Sequence, residues 1–176
     1  FAETFSQYIV EVSAGGGSDQ PDTDADAQSV LFVVEGGGIL TIGTDTHDLS
    51  AGSYAYIPVN TEWTFTNPND APCRFHWIRK AYEWVDGIDA PPPLVTSDAA
   101  IEPSVMPDTN GAWATSRFVD PSDMRHDMAV TIVTFQPGGV IPFLETHVME
   151  HGLYVLEGKA VYNLNNDWVE VEAGDF

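Results

Sequence analysis

The chain has 176 residues, 43% hydrophobic and 19% charged, an ordinary balance for a globular protein that buries a sizeable core. Its 27 acidic residues against six basic ones give a net charge of −21, which repels phosphate backbones and anionic lipid. We therefore expect neither nucleic acid nor membrane as a partner. A single cysteine, Cys73, excludes an intrachain disulfide.

No apolar run approaches the roughly 18 residues of a membrane span. A basic-then-apolar signal peptide is also missing from the sequence. These two observations lead us to expect a cytoplasmic protein, with the acidic residues on a solvated surface.

Short segments of alternating or β-branched residues, separated by Gly, Asn, Asp and Pro, predict β-strands along most of the chain. The predicted strands are residues 8–12, 30–34, 38–42, 53–57, 62–66, 74–78, 129–135, 152–156, 160–164 and 168–171. Segments 44–47 and 165–167 have the composition of hairpin turns.

A proline-rich stretch, residues 82–126, separates the two groups of strands. Its proline triplet at 91–93 predicts an extended and stiff backbone. We interpret the stretch as a connector that packs over its neighbours, with Trp84, Trp113 and Phe118 as apolar anchors.

The chain contains an internal duplication. The hexapeptide Leu-Phe-Val-Val-Glu-Gly that begins at Leu31 recurs as Leu-Tyr-Val-Leu-Glu-Gly from Leu153, an offset of 122. The same offset pairs Gly17 with Gly139, Leu40 with Tyr162, and Tyr54 with Phe176. Two copies of one structural unit are therefore predicted.

The second copy carries a candidate metal site at Glu145, His147 and His151. On a β-strand, Glu145 and His147 would leave the same face, and His151 follows four residues later. Two imidazoles and a carboxylate form a common ligand set for a transition metal. The alternative is a pair of surface histidines near a strand end. The corresponding residues of the first copy, Thr23, Ala25 and Ser29, do not form such a set.

Two motifs carry a family resemblance. The spacing Gly139-x5-Glu145-x-His147-x3-His151-x6-Gly158 resembles the first cupin motif, G-x5-H-x-H-x3,4-E-x6-G, with Glu and His exchanged. In the first copy, Gly52-x5-Pro58-x-Asn60-x2-Trp63-x3-Asn67 resembles the second cupin motif, with Trp63 in place of the metal-binding histidine.

The resemblance implies an all-β bicupin with two double-stranded β-helix (jelly-roll) barrels. Residues 1–81 would form an N-terminal barrel without metal ligands, 82–126 the connector, and 127–176 a C-terminal metal-binding barrel that is incomplete in this chain. Cupins commonly associate through barrel edges, so a homo-oligomer is expected by analogy.

A metal-free first half followed by Glu-Thr-His-x-x-Glu-His-Gly resembles the (S)-ureidoglycine aminohydrolase family of allantoin and glyoxylate metabolism. The resemblance implies a Mn²⁺ enzyme, tolerant of other divalent metals, that hydrolyses (S)-ureidoglycine to (S)-ureidoglycolate and ammonia in purine catabolism. Glu145, His147 and His151 match three metal ligands of that family, and Tyr162 matches a tyrosine that contacts the small-molecule substrate. The family's fourth ligand, a glutamine, and a later lysine would fall beyond Phe176.

The catalytic candidates are Glu145 and Tyr162, and each has a simpler alternative. Glu145 could only ligate the ion, without moving a proton, and Tyr162 could be a wall of the pocket. For the whole protein, the alternatives are another metal-cupin enzyme, such as a dioxygenase or isomerase, or a cupin that binds a small molecule without turnover. The exchange of Glu and His favours the aminohydrolase, because dioxygenase cupins usually present His-x-His before the glutamate.

Overall fold

The structure, a computed structural model, describes residues 2–176 and is all-β. Within those residues the helical structure is a 3-10 turn at Asp98–Ala100, and no helix is long and apolar enough to cross a membrane. The strands are β1 Phe5–Val12, β2 Ala27–Glu35, β3 Gly37–Ile42, β4 Asp45–Ser50, β5 Ser53–Ile57, β6 Trp63–Thr66, β7 Cys73–Ala81, β8 Leu94–Ser97, β9 Ser104–Val105, β10 Trp113–Arg117, β11 Thr131–Phe135, β12 Lys159–Leu164 and β13 Asp167–Glu172.

The chain divides into two compact units. The larger unit is Phe5–Thr146 and contains β1 to β11; the smaller unit combines residues 2–4 with His147–Phe176 and contains β12 and β13. The domain boundaries predicted after residues 81 and 126 stay a prediction.

The larger unit is built around a five-stranded antiparallel sheet in the order β1-β7-β2-β5-β8, with a second sheet in the order β4-β3-β6. Successive residues of β2 alternate between two apolar cores. Leu31 and Val33 lie in the core shared with Leu40 and Phe65 of the second sheet. A strand buried on both faces reads as a continuous apolar run, which explains the sequence of β2.

The other face of the five-stranded sheet packs against the connector and the residues that follow it. Phe118 stacks on Tyr54 with ring centroids 4.3 Å apart. Phe118 and Trp113 are buried, as the connector prediction requires, whereas Trp84 is 60% exposed and is no anchor. The connector also contributes strands that the proline content concealed: β8 pairs with β5, and β10 pairs with β11.

A polar cluster fastens the end of the connector to this face. Asp127 accepts hydrogen bonds from Gln28 Nε2, from Lys80 Nζ at 2.8 Å and from the Glu83 N–H at 2.8 Å. Gln28 is fully buried and its Oε1 accepts a hydrogen bond from Tyr56 Oη at 3.1 Å. A buried amide needs such partners, so Asp127 stabilises the junction by satisfying them.

The smaller unit repeats a hairpin of the larger one. In β3–β4 Gly37 pairs with Ser50, and 122 residues later in β12–β13 Lys159 pairs with Glu172. The turns match as well, because Gly43 has φ 57° and its counterpart Asn165 has φ 56°. The predicted turn at 165–167 therefore begins at Asn165. The prediction of a turn at 44–47 is wrong for residues 45–47, His47 included, because β4 begins at Asp45.

The predicted strand at residues 152–156 is not formed. Its counterpart, β2, is held by β5 and β7 on either side. In residues 152–156, by contrast, the Val155 N–H donates to the Asp175 carbonyl and the Val155 carbonyl accepts from the Gly174 N–H, each at 2.9 Å. These two hydrogen bonds are too few for a ladder, so the segment is irregular.

Candidate metal centre

Two of the three candidate ligands lie side by side. His147 and His151 are both in the smaller unit, with ring centroids 4.6 Å apart and ring planes at 47°. Both side chains are exposed, so solvent and an ion can reach them. A pair of neighbouring neutral imidazoles supplies two nitrogen donors of the kind that first-row divalent metals bind.

Glu145 lies in the larger unit, exposed and outside any strand. The prediction that Glu145 and His147 share a strand face is wrong, because neither is in a strand. The counterparts in the first copy, Thr23 and Ala25, are likewise outside any strand, just before β2. Across residues 2–176 no cluster of three or more His, Cys, Asp or Glu side chains is close enough to hold a metal ion.

The donor set fits a divalent ion in its chemistry. One carboxylate and two imidazoles suit Mn²⁺ or Fe²⁺ and also bind Zn²⁺, since intrinsic affinity does not favour manganese. In the structure His147 and His151 lie next to each other. Glu145 remains a candidate ligand because of its position in the sequence motif. Tyr162, on β12 of the same unit as the histidines, is 42% exposed, whereas its counterpart Leu40 is fully buried.

In the first copy, aromatic rings surround the residue that corresponds to His151. Ser29, the counterpart of His151, accepts a hydrogen bond from Trp77 Nε1 at 3.1 Å. Trp63 packs edge-on against Trp77 with centroids 5.4 Å apart. The Arg79 guanidinium lies 4.9 Å from the Trp77 ring centroid and pairs with Asp22 and Asp24. Two indoles and a guanidinium held by two carboxylates thus lie close to Ser29, the first copy's counterpart of His151.

Sequence reasoning missed one residue of the histidine segment, Glu150. Its carboxylate accepts hydrogen bonds from Thr4 Oγ1 at 2.5 Å and from the N–H groups of Glu3 and Thr4, each at 2.8 Å. These bonds, that from the Thr4 hydroxyl first, lower the pKa of Glu150 and favour its ionised form. No sequence signal could reveal the contact, because its partners are 146 and 147 residues away.

The fold and the motif spacing are those of the cupins. The family model for the cupin domain matches residues 8–79 and 131–176, more than half of the chain. The chain therefore belongs to the cupin domain family.

The curated relatives of the chain bear a more specific name than the cupin domain family. The (S)-ureidoglycine aminohydrolase of Escherichia coli (strain K12) is 31% identical over 173 residues, 98% of this chain and 65% of the relative. The (S)-ureidoglycine aminohydrolase of Arabidopsis thaliana is 28% identical over 172 residues, 97% of this chain and 55% of the relative. The chain thus spans between about half and two thirds of these curated relatives. The resemblance drawn from the motifs is confirmed.

Two solved structures resemble the whole chain. A glyoxylate-induced protein from Pseudomonas aeruginosa superposes with a TM-score of 0.93 at 62% identity, covering 99% of this chain and 64% of that one. The Ylba protein of Escherichia coli superposes with a TM-score of 0.85 at 30% identity, covering 98% and 67%. The all-β cupin fold is shared with both.

Proposed function

We propose that this chain is part of a metal-dependent aminohydrolase that converts (S)-ureidoglycine and water into (S)-ureidoglycolate and ammonia, in the breakdown of allantoin and purines. The observation that carries the proposal is the adjacent pair His147 and His151 within a Glu-x-His-x3-His block of a cupin. Support comes from the relatives, which bear the name (S)-ureidoglycine aminohydrolase. A cytoplasmic homo-oligomer belongs to the same proposal.

The proposed architecture is a bicupin whose second barrel is incomplete within these 176 residues. The cupin domain model matches two separate segments, and the two hairpins share one register at an offset of 122, which supports two barrels. Positions buried in the first copy are open in the second: Leu164 is 51% exposed against 5% for Ile42, and Phe176 is 62% exposed against 0% for Tyr54.

In the proposed site, Glu145, His147 and His151 would hold a divalent ion, with Mn²⁺ as the proposed metal. Bound there, the ion would supply Lewis-acid polarisation of the substrate. The substrate carries a carboxylate and an amine on one carbon, and holding both groups would fix the orientation of that carbon, so that a third contact with the pocket could select one enantiomer. We assign Tyr162 to substrate contact through its hydroxyl and Glu145 to ligation, with proton transfer as a second role for the carboxylate.

The decisive experiment uses the full-length protein with Mn²⁺ and enzymatically generated (S)-ureidoglycine. Ammonia release should exceed the spontaneous rate, and a chelated sample of the same protein should fall back to that rate. Release by the manganese-loaded protein no faster than the spontaneous reaction would reject the aminohydrolase. Oxygen uptake or isomerisation would then be assayed, to separate another metal-cupin enzyme from a binding protein.

A further inference from the structure

The segment that carries the two histidines is poorly fixed by packing. No residue from His147 to His151 is in a strand or helix. The side chain of Val148 is 100% exposed and that of Met149 is 67% exposed, so neither anchors the segment. Two metal-binding rings on an unanchored segment would lose conformational entropy when an ion orders them, which weakens binding.

Glu150 is the half-buried member of this segment and the one with partners distant in sequence. Its two carboxylate oxygens accept three hydrogen bonds from residues 3 and 4, and these residues belong to the same compact unit as the histidines. Bonds from N–H and O–H donors to an ionised carboxylate are stronger than neutral ones. The carboxylate is therefore occupied by these donors, and among residues 2–176 it forms no cluster with the two imidazoles that could hold a metal ion.

We propose that Glu150 is a positioning residue, which fastens the His147–His151 segment to residues 3–4 and so prepares the two imidazoles for a divalent cation. The inference rests on the proposed metal site and deepens it. Partners that orient ligands from outside the coordination sphere typically contribute about 10–100-fold in metal affinity. The competing possibility is that Glu150 is itself a ligand, in which case its bonds to residues 3–4 would be irrelevant to the ion.

Two substitutions on opposite sides of the contact separate these possibilities. Glu150→Gln removes the charge and replaces one acceptor oxygen with an amide donor. Thr4→Pro leaves Glu150 intact but removes the Thr4 N–H and the Thr4 hydroxyl, two of the three donors. Glu157→Gln is the matched control, because Glu157 is an exposed glutamate of the same unit, six residues after His151.

Manganese affinity of the full-length protein should be measured by calorimetry, with the thermal midpoint of the metal-free protein as a check on folding. Glu150→Gln and Thr4→Pro should each weaken binding about tenfold. The double variant should be no weaker than either single one, since both break the same contact. At saturating Mn²⁺ the kcat of both variants should return towards the wild-type value. Glu157→Gln should bind like the wild type.

Unchanged affinity in Glu150→Gln would overturn the inference. So would weak binding by Glu150→Gln alongside wild-type binding by Thr4→Pro, because the carboxylate would then act without residues 3–4. Wild-type protein that binds manganese but releases no ammonia above the spontaneous rate would overturn the proposed reaction alone. Wild-type protein that takes up no manganese would overturn the proposed metal site and this inference together.

Discussion

The two copies of the repeat differ in chemistry at the counterpart residues Ser29 and His151. Ser29 sits on a paired strand and its hydroxyl accepts a hydrogen bond from Trp77. His151 lies in an irregular segment with a second imidazole beside it. The position is held by an indole in one copy and exposed to solvent in the other, which supports the proposal that metal binding belongs to the second copy alone.

Alanine at either histidine should abolish the response to manganese. Wild-type full-length protein should gain thermal midpoint on addition of MnCl₂, because a ligand that binds only the native state stabilises it by mass action. His147→Ala and His151→Ala should lose that gain and most ammonia release, while their metal-free midpoints stay near that of the wild type because both side chains are exposed. His47→Ala, on β4, is the control and should keep the gain. A full manganese response in both variants would show that the site lies elsewhere.

His126 should make the larger unit sensitive to acid. Its ring lies edge-on to Tyr56 with centroids 4.9 Å apart. Its pKa is lowered, with burial as the largest cause; Asp123 and Asp127 raise the pKa and Arg125 lowers it. The unfolded chain, with an ordinary histidine pKa of about 6.5, therefore takes up a proton before the folded chain does. The free energy of unfolding should fall as the pH drops below that value.

The measurement is denaturant unfolding at pH 7.5 and pH 5.5 of the wild type and His126→Phe, which keeps an aromatic ring against Tyr56. The phenylalanine variant should lose less stability between the two pH values, because residue 126 then takes up no proton; the loss that remains includes that of buried His76, whose pKa burial also lowers. Equal losses in both proteins would show that His126 does not contribute to acid sensitivity.

At the scale of strands, the sequence predicted most strands of the first sheet but missed β4, β8 and β10, whose partners also lie within the chain. Predicted segments 8–12, 30–34 and 53–57 all fall in strands of the five-stranded sheet. The prediction failed at 152–156. The sequence pattern there matches that of β2, but no strand pairs with the segment as β5 and β7 pair with β2. Alternation of apolar and polar residues shows that a segment can form a strand, whereas a hydrogen-bonded ladder also needs a partner strand beside it.

The candidate site could be predicted in part for a related reason. Ligand spacing is a local property, so the pair His147 and His151 was found from the sequence. The strand geometry predicted for Glu145 was wrong, because residues 145–151 are irregular. Glu150 was not predicted, because its hydrogen-bond partners are at the other end of the chain. Long-range hydrogen bonds leave no spacing pattern to read.

The repeated hairpin turn predicts an exchange of residues between copies. Asn165 and Gly43 occupy the same turn position with φ near 56° and 57°, a left-handed conformation that glycine and asparagine tolerate. Asn165→Gly and Gly43→Asn should therefore each leave stability nearly unchanged. Asn165→Val should destabilise the β12–β13 hairpin by about 1–2 kcal/mol, because a β-branched residue is strained there.

Amide hydrogen exchange in β12 and β13 of the full-length protein measures this effect locally. The valine variant should exchange faster in these strands, while β3 and β4 of the same molecule serve as an internal reference. Protection of β12 and β13 equal to that of the wild type would contradict the shared turn geometry.

At the scale of the whole molecule, negative charge is far from compensated. Among residues 2–176, five of the six basic residues already form ion pairs, and the bases involved are Arg74, Arg79, Lys80, Arg125 and Lys159. The remaining carboxylates leave the net charge of −21. Self-repulsion of this kind opposes the compact state, and it is screened by salt.

The thermal midpoint should therefore rise steeply with salt. Between 0.01 M and 1 M NaCl the screening length falls from about 30 Å to about 3 Å, which removes repulsion between all but neighbouring carboxylates. A triple variant, Asp45→Asn, Asp48→Asn and Asp70→Asn, removes three exposed charges and should show a higher midpoint at 0.01 M and a smaller gain with salt. Scanning calorimetry of both proteins across the salt series, with sucrose as an uncharged control for general stabilisation, tests the argument. Equal salt gains in both proteins would show that stabilisation comes from ion exclusion or specific binding rather than from screening.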